Sequence, residues 1–205
     1  MNVLVACEES QAVCKAFREK GHVAFSCDIL ECSGGHPEWH FHQDAFEVIK
    51  NKGGHLQTGD DFFLPDGQEW DLMIAHPPCT YLCRNRARQN REENIIPDNS
   101  FFLTLLNCSI PKICIENPLP AKMSMLPKYS QIIQPWYFGH DHSKKTCLWL
   151  KNLPPLMPTE IVKITYITTP NGHRYTKGWY KMPRTSIARS RTFQGIATAM
   201  AEQWG

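Results

Sequence analysis

NVLVACEESQAVCKAFREKGHVAFSCD, residues 2–28, decides the fold class. Residues 2–7 (NVLVAC) are an apolar run rich in β-branched side chains, as a strand covered on both faces requires. Residues 10–20 set Ala12, Val13, Ala16 and Phe17 at the spacing of one helix face, with Ser10 as N-cap and Gly21 as the stop. Residues 23–27 (VAFSC) read as a second strand, ending at Asp28. A strand, a helix and a strand in so short a span form a βαβ unit, whose two strands lie parallel.

Further strands are expected at residues 39–42, 70–75 (WDLMIA), 112–116 (KICIE) and 145–150 (KTCLWL), with an edge strand at 161–168. Helices are expected at 45–50, 99–109 and 190–204, and residues 53–68 read as a loop insertion. The expected fold is α/β, a single domain over residues 1–205 with a mostly parallel sheet flanked by helices. Polar residues follow the ends of four strands: Glu8, Asp28, the stretch from His76 to Cys79, and Glu116 with Asn117. Ligands of open parallel sheets bind at that edge.

No apolar run approaches the ~18 residues that span a bilayer, and the N-terminal run is too short and too quickly acidic for a signal peptide. A cytoplasmic protein without a membrane partner is expected. The nine cysteines are odd in number and lack the spacing of a secreted disulfide framework. Cys7, Cys14, Cys114 and Cys147 sit beside apolar neighbours and read as small buried thiols. Residues 1–71 carry 5 Lys+Arg against 13 Asp+Glu, and residues 72–205 carry 17 against 7. Such a division suits a polar cofactor on one side and a polyanion on the other, or else the charges intermix on the surface.

Cys79 lies in DLMIAHPPCTY, where two prolines stiffen the loop that carries its thiol. Arg84, Arg86 and Arg88 follow closely and are candidates to favour its thiolate. Glu116 in PKICIENP ends a buried strand, where a carboxylate needs a partner. Each has a plain structural reading as well, a loop cysteine and a glutamate satisfied by a helix N-terminus.

Together these motifs resemble the DNA cytosine-5 methyltransferase family, in order and over most of the chain. Residues 2–29 look like its opening unit, WDLMIAHPPC (70–79) like its Pro-Cys nucleophile motif, and IPKICIENP (110–118) like its Glu-Asn motif. FGHDHSKKTCLWL (138–150) is similar to its basic motif, and residues 188–205 to its closing helix. The chain looks closer to the short prophage-type members than to the full-length enzymes. The resemblance implies a Rossmann-like S-adenosylmethionine-dependent methyltransferase fold and transfer to carbon 5 of cytosine. It implies Cys79 as nucleophile, Glu116 at N3 of the base, and Lys144 or Lys145 against the base or its phosphate. It implies S-adenosyl-L-methionine bound by Cys7, Glu8, Ser10, Asp28, Ile29, Asp44 and Pro77, with Asp28 on the ribose and Asp44, rather than Asp60, on the adenine side.

Two departures stand out. The family's cofactor loop carries closely spaced glycines, and here it reads CEESQ. The family's large target-recognition region is replaced by a short basic segment, residues 151–188. Residues 171–201 contain no acid but hold Arg174, Lys177, Arg189 and Arg191 among Tyr175, Trp179 and Tyr180. Basic residues interleaved with aromatics suit a nucleic-acid backbone and unstacked bases, and a solvated basic tail is the bland alternative. Arg84, Arg86, Arg88 and Arg91 read as a loop that closes over a phosphate. The partner is DNA, double- or single-stranded, with RNA or a free nucleotide as alternatives. A catalytically silent nucleic-acid-binding protein is the reading from another class, and the glycine-free loop motivates it. Methylation of an exocyclic amine fits poorly, because His76 and Cys79 stand where that chemistry uses an Asp or Asn and an aromatic. Cys27, Cys32, His36 and His40 have a zinc-like C-x4-C-x3-H-x3-H spacing, but Cys27 falls within a strand and no metal is assigned.

Overall fold

A computed structural model describes residues 1–183, 185 and 190–205. Its centre is a seven-stranded sheet. In chain order the strands are β1 (Asn2–Ala6), β2 (Val23–Asp28), β3 (His40–His42), β6 (Leu72–Ala75), β7 (Lys112–Pro118), β8 (Gln131–Ile133) and β9 (Thr146–Lys151). Their spatial order is β3-β2-β1-β6-β7-β9-β8, and β9 runs opposite to the other six. The protein is thus a mixed α/β fold with a mostly parallel central sheet flanked by helices, an arrangement compatible with a Rossmann-like fold.

The strands read as unbroken apolar runs because both sheet faces are covered. Val3, Val5, Leu72 and Ile74 face one layer, built from α1 (Ala12–Glu19) and the C-terminal helix α6 (Gln194–Trp204), with Phe17, Met200 and Trp204 in the same cluster. Leu4, Ala6, Met73 and Ala75 face the other, against α2 (Ala45–Asn51) and α4 (Ser100–Leu106), with Val48, Phe102 and Leu105. Each large aliphatic side chain fully buried there contributes about 1.5–3 kcal/mol, so the sheet is a rigid base for the loops at its edge.

Several sequence expectations are corrected. Ser10 is not the cap of α1. Gln11 occupies that position at φ 57, and the Glu8 carboxyl accepts from the N–H groups of Val13 at 2.7 Å and Cys14 at 3.2 Å. A buried side chain from the preceding turn thus satisfies the helix end. Residues 53–68 are not a plain loop, because β4 (Gly53–His55) and β5 (Asp61–Phe63) pair as a small antiparallel ribbon. The expected edge strand at 161–168 shrinks to β10 (Tyr166–Thr168), which pairs with β11 (Arg174–Thr176) apart from the main sheet. The basic stretch after Cys79 is a turn at residues 84–86 followed by α3 (Ala87–Glu92), not a loop. The short helix α5 (Lys177–Lys181) follows β11. Among the described residues, no helix is long and apolar enough to cross a membrane.

Candidate active site

Strand order reverses between β1 and β6: from β1 the chain passes to β2 on one side and later returns through β6 on the other. Loops leaving such neighbours diverge and open a crevice at their C-terminal ends. A cavity of about 600 Å³ lies there, lined by the turn after β1, Asp28 and Leu30 after β2, residues 76–80 after β6, and residues 116–118 of β7. Lys144 and residues 190–192 complete it.

Strand register sets its chemistry. Ala75 pairs with Ile115, so the next residues, His76 and Glu116, stand side by side. Nδ1 of His76 lies 2.9 Å from Oε2 of Glu116, and the two side chains are only 13% and 12% exposed. Burial alone would raise the Glu116 pKa. The His76 hydrogen bond, the charges of Lys144 and His76, and Thr146 outweigh it, and the carboxyl is held below its usual range. Burial alone would likewise lower the His76 pKa, but the bond to Glu116 and the charges of Glu116 and Glu8 carry it above the ordinary value.

Cys79 shares this cavity, within reach of the Glu116 and Lys144 charges. Its loop is pinned to the segment after Glu116: Arg84 N–H donates to Leu119 O at 2.7 Å, and Ala121 N–H to Leu82 O at 2.8 Å. The Cys79 thiol is hydrogen-bonded to Cys83, and this bond, burial and the Cys83 and Glu116 charges raise its pKa well above the usual thiol value. Cys83 is lowered by the same bond and, against burial, by the N–H groups of Arg86, Asn85 and Cys83 itself at the start of the 84–86 turn. Of the two hydrogen-bonded thiols, Cys83 is thus the more acidic. Of the arginines that follow Cys79, Arg86 bonds Gln89 and Glu93, and Arg88 bonds Glu92. Arg84 and Arg91 are exposed on the same turn and helix. Cys83 carries no motif, and only its later contact with Cys79 marks it.

The other half of the cavity holds Cys7, Glu8, Glu9, Ser10, Asp28 and Pro77. The glycine-free loop makes its turns at two left-handed non-glycine residues, Cys7 (φ 59) and Gln11 (φ 57), each at a cost of about 1–2 kcal/mol. Buried Gln11 holds the loop, donating to His36 O at 2.8 Å and Ser26 Oγ at 3.2 Å and accepting from His36 N–H at 3.1 Å. Gly34 packs against it so closely that a Cβ there would lie 2.5 Å from Gln11 and 2.6 Å from Ser10 O. Ile29 does not line the cavity and is 72% exposed, while Leu30, unanticipated, does line it. Asp44 also lies outside the lining; it caps α2, accepting from Phe46 N–H at 2.7 Å.

Lys144 also borders a second cavity of about 330 Å³ with Lys145, Cys83, Pro118 and Trp179, so Lys144 faces both cavities and Lys145 the second. In the basic segment, the Arg174 guanidinium lies 3.9 Å over the Tyr166 ring, and Tyr175 and Trp179 stack at 4.9 Å. Lys177 borders a third, open cavity beside His140 and Asp141. Arg191 reaches the main cavity, donating to Ser33 Oγ at 2.7 Å and pairing with Glu9 at 3.9 Å. Arg189 lies outside the described residues. The zinc-like set does not converge. His40 bonds Ser26 and Leu30, His36 bonds Glu38, and Cys27 donates to Gln43 O. Among the described residues, no group of three or more His, Cys, Asp or Glu is placed to hold a metal ion.

Comparison with protein-family models and with curated proteins finds no match for this chain.

Proposed function

We propose that this chain transfers a methyl group from S-adenosyl-L-methionine to carbon 5 of cytosine in DNA, through a covalent adduct on Cys79. The observation that carries this reading is the meeting of Cys79, Glu116 and Lys144 in one cavity whose other half is lined by Glu8, Glu9 and Asp28. That half suits the cofactor. In dinucleotide-binding relatives of this fold a pyrophosphate sits on the first helix N-terminus. Here the Glu8 carboxyl already fills that position, which disfavours phosphate. Asp28, at the end of β2, is positioned for ribose hydroxyls. When bound, S-adenosyl-L-methionine supplies an electrophilic methyl group.

The chain's own residues make the base reactive. Carbon 5 of cytosine is a poor nucleophile. Sulfur attack at carbon 6 forms an S–C6 bond, shifts the double bond to C4=C5 and puts the displaced charge on N3. Glu116 meets N3 and Lys144 the base or its phosphate. Cys79 gives up its proton as it attacks, and hydrogen-bonded Cys83, whose pKa is shifted down, is the neighbouring group to take it. Loss of the C5 proton to water and expulsion of sulfur end the cycle. In a duplex the base must first leave the stack.

The test incubates the full chain with methyl-labelled S-adenosyl-L-methionine and DNA, RNA or cytidine monophosphate, then digests to nucleosides for mass spectrometry. Labelled 5-methylcytosine from DNA is the expected product. Label only in RNA or the nucleotide reassigns the substrate. No product, with no cofactor binding by calorimetry at millimolar concentration, refutes the reading in favour of a silent nucleic-acid-binding protein.

A further inference from the structure

His76 has no part in the chemistry described above, yet it is hydrogen-bonded to Glu116. It follows β6 directly, lines the same cavity, and spends Nδ1 on Glu116 Oε2 at 2.9 Å. Its other nitrogen, Nε2, is buried with no partner among the described residues. The ring therefore has one polar contact that orients it, and that contact is the carboxyl assigned to the base.

The charges around it favour an imidazolium. Glu116 faces it from β7 and Glu8 from the turn after β1, while Lys144, from the segment before β9, opposes them. Glu116 in turn is held as a carboxylate in the resting site. A carboxylate accepts hydrogen bonds but has no proton to give. When sulfur adds to carbon 6, N3 becomes basic and needs one.

We propose that His76 is a positioning residue that stores, against Glu116, the proton N3 takes up when Cys79 adds to the ring. This rests on the cytosine reading above and deepens it. The proton moves from Nδ1 of His76 to the Glu116 carboxyl, and from the carboxyl to N3. It leaves a neutral imidazole, a carboxylate and an N3–H. When sulfur is expelled, N3 returns the proton by the same path and the dyad is restored. No other donor or acceptor is consumed.

His76→Asn tests this, because asparagine still donates to Oε2 but cannot titrate. For the wild type, kcat on DNA falls on the alkaline side as His76 loses its proton. His76→Asn should lower kcat roughly 100- to 1,000-fold, leave KM for DNA nearly unchanged, and abolish that alkaline limb. A variant with wild-type kcat and an intact limb overturns the proposal. NMR titration of the imidazole in the wild-type chain is the second measurement and does not depend on the variant folding. His76 should titrate above 6.5, and below it in Glu116→Gln. A wild-type midpoint below 6.5 also overturns the proposal. If the wild type makes no Cys79-dependent 5-methylcytosine, the cytosine reading itself fails and the relay falls with it. If product forms but His76→Asn behaves as wild type, only the relay fails.

Discussion

Replacing Glu116 with Gln keeps the side-chain shape and removes the charge. An uncharged amide oxygen still accepts from His76 Nδ1, so the loss is the charge-assisted part of one buried 2.9 Å hydrogen bond. Hydrogen bonds to charged groups contribute about 1.5–3 kcal/mol and neutral ones about 0.5–1.5, so the expected loss is roughly 1–2 kcal/mol. Its pH dependence is more diagnostic than its size. Glu116 has a depressed pKa, so its contribution is present above the unfolded carboxyl value of 4.5 and is lost as pH falls through the lower folded value. His76 has a raised pKa, so its contribution is full below the unfolded value of 6.5 and is lost as pH rises through the higher folded value. The gap between wild type and variant should therefore be widest between pH 4.5 and 6.5 and narrow on either side. Urea unfolding of both proteins at about pH 3, 5.5 and 9 reads it directly. A gap that does not change with pH refutes the ion pair. A variant more stable at pH 5.5 means that burying the two charges costs more than their attraction returns.

Cys79→Ser should abolish formation of 5-methylcytosine while circular dichroism and the urea midpoint stay at wild-type values; retained turnover excludes the covalent route. Iodoacetamide at pH 7 should label Cys83 well before Cys79, as peptide mapping would read, and in Cys83→Ala the labelling of Cys79 should speed up. Equal labelling of both thiols in the wild type rules out the shared proton. Gly34→Ala drives a methyl group into Gln11 and the Ser10 carbonyl. It should weaken cofactor binding at least several-fold in calorimetry while DNA affinity holds; unchanged cofactor affinity separates this loop from the cofactor site.

Much of the framework was legible because its signals are local. The opening βαβ unit, the strands before His76 and through Glu116, and the C-terminal helix all announce themselves through an apolar run or a helical period. The short strand β8 and the ribbon β4–β5 did not, because three-residue strands carry almost no periodicity and are stabilised by their partners. Helix α3 escaped because it has one buried residue, Asn90, and no apolar face to reveal it.

The residue types at strand ends were fixed by sequence alone: a cysteine after two prolines, a glutamate closing a buried strand, an aspartate ending the second. What they do to one another was decided by the tertiary structure. Register between β6 and β7 places His76 against Glu116 across 40 positions of chain. The turn after β1 folds back so that Glu8 caps α1 rather than standing free. Cys79 and Cys83 shift in opposite directions first because their thiols are hydrogen-bonded to each other, a contact made only when the loop folds. Periodicity travels along the chain, but the energy of a charge depends on distance and burial, which exist only once the chain has folded.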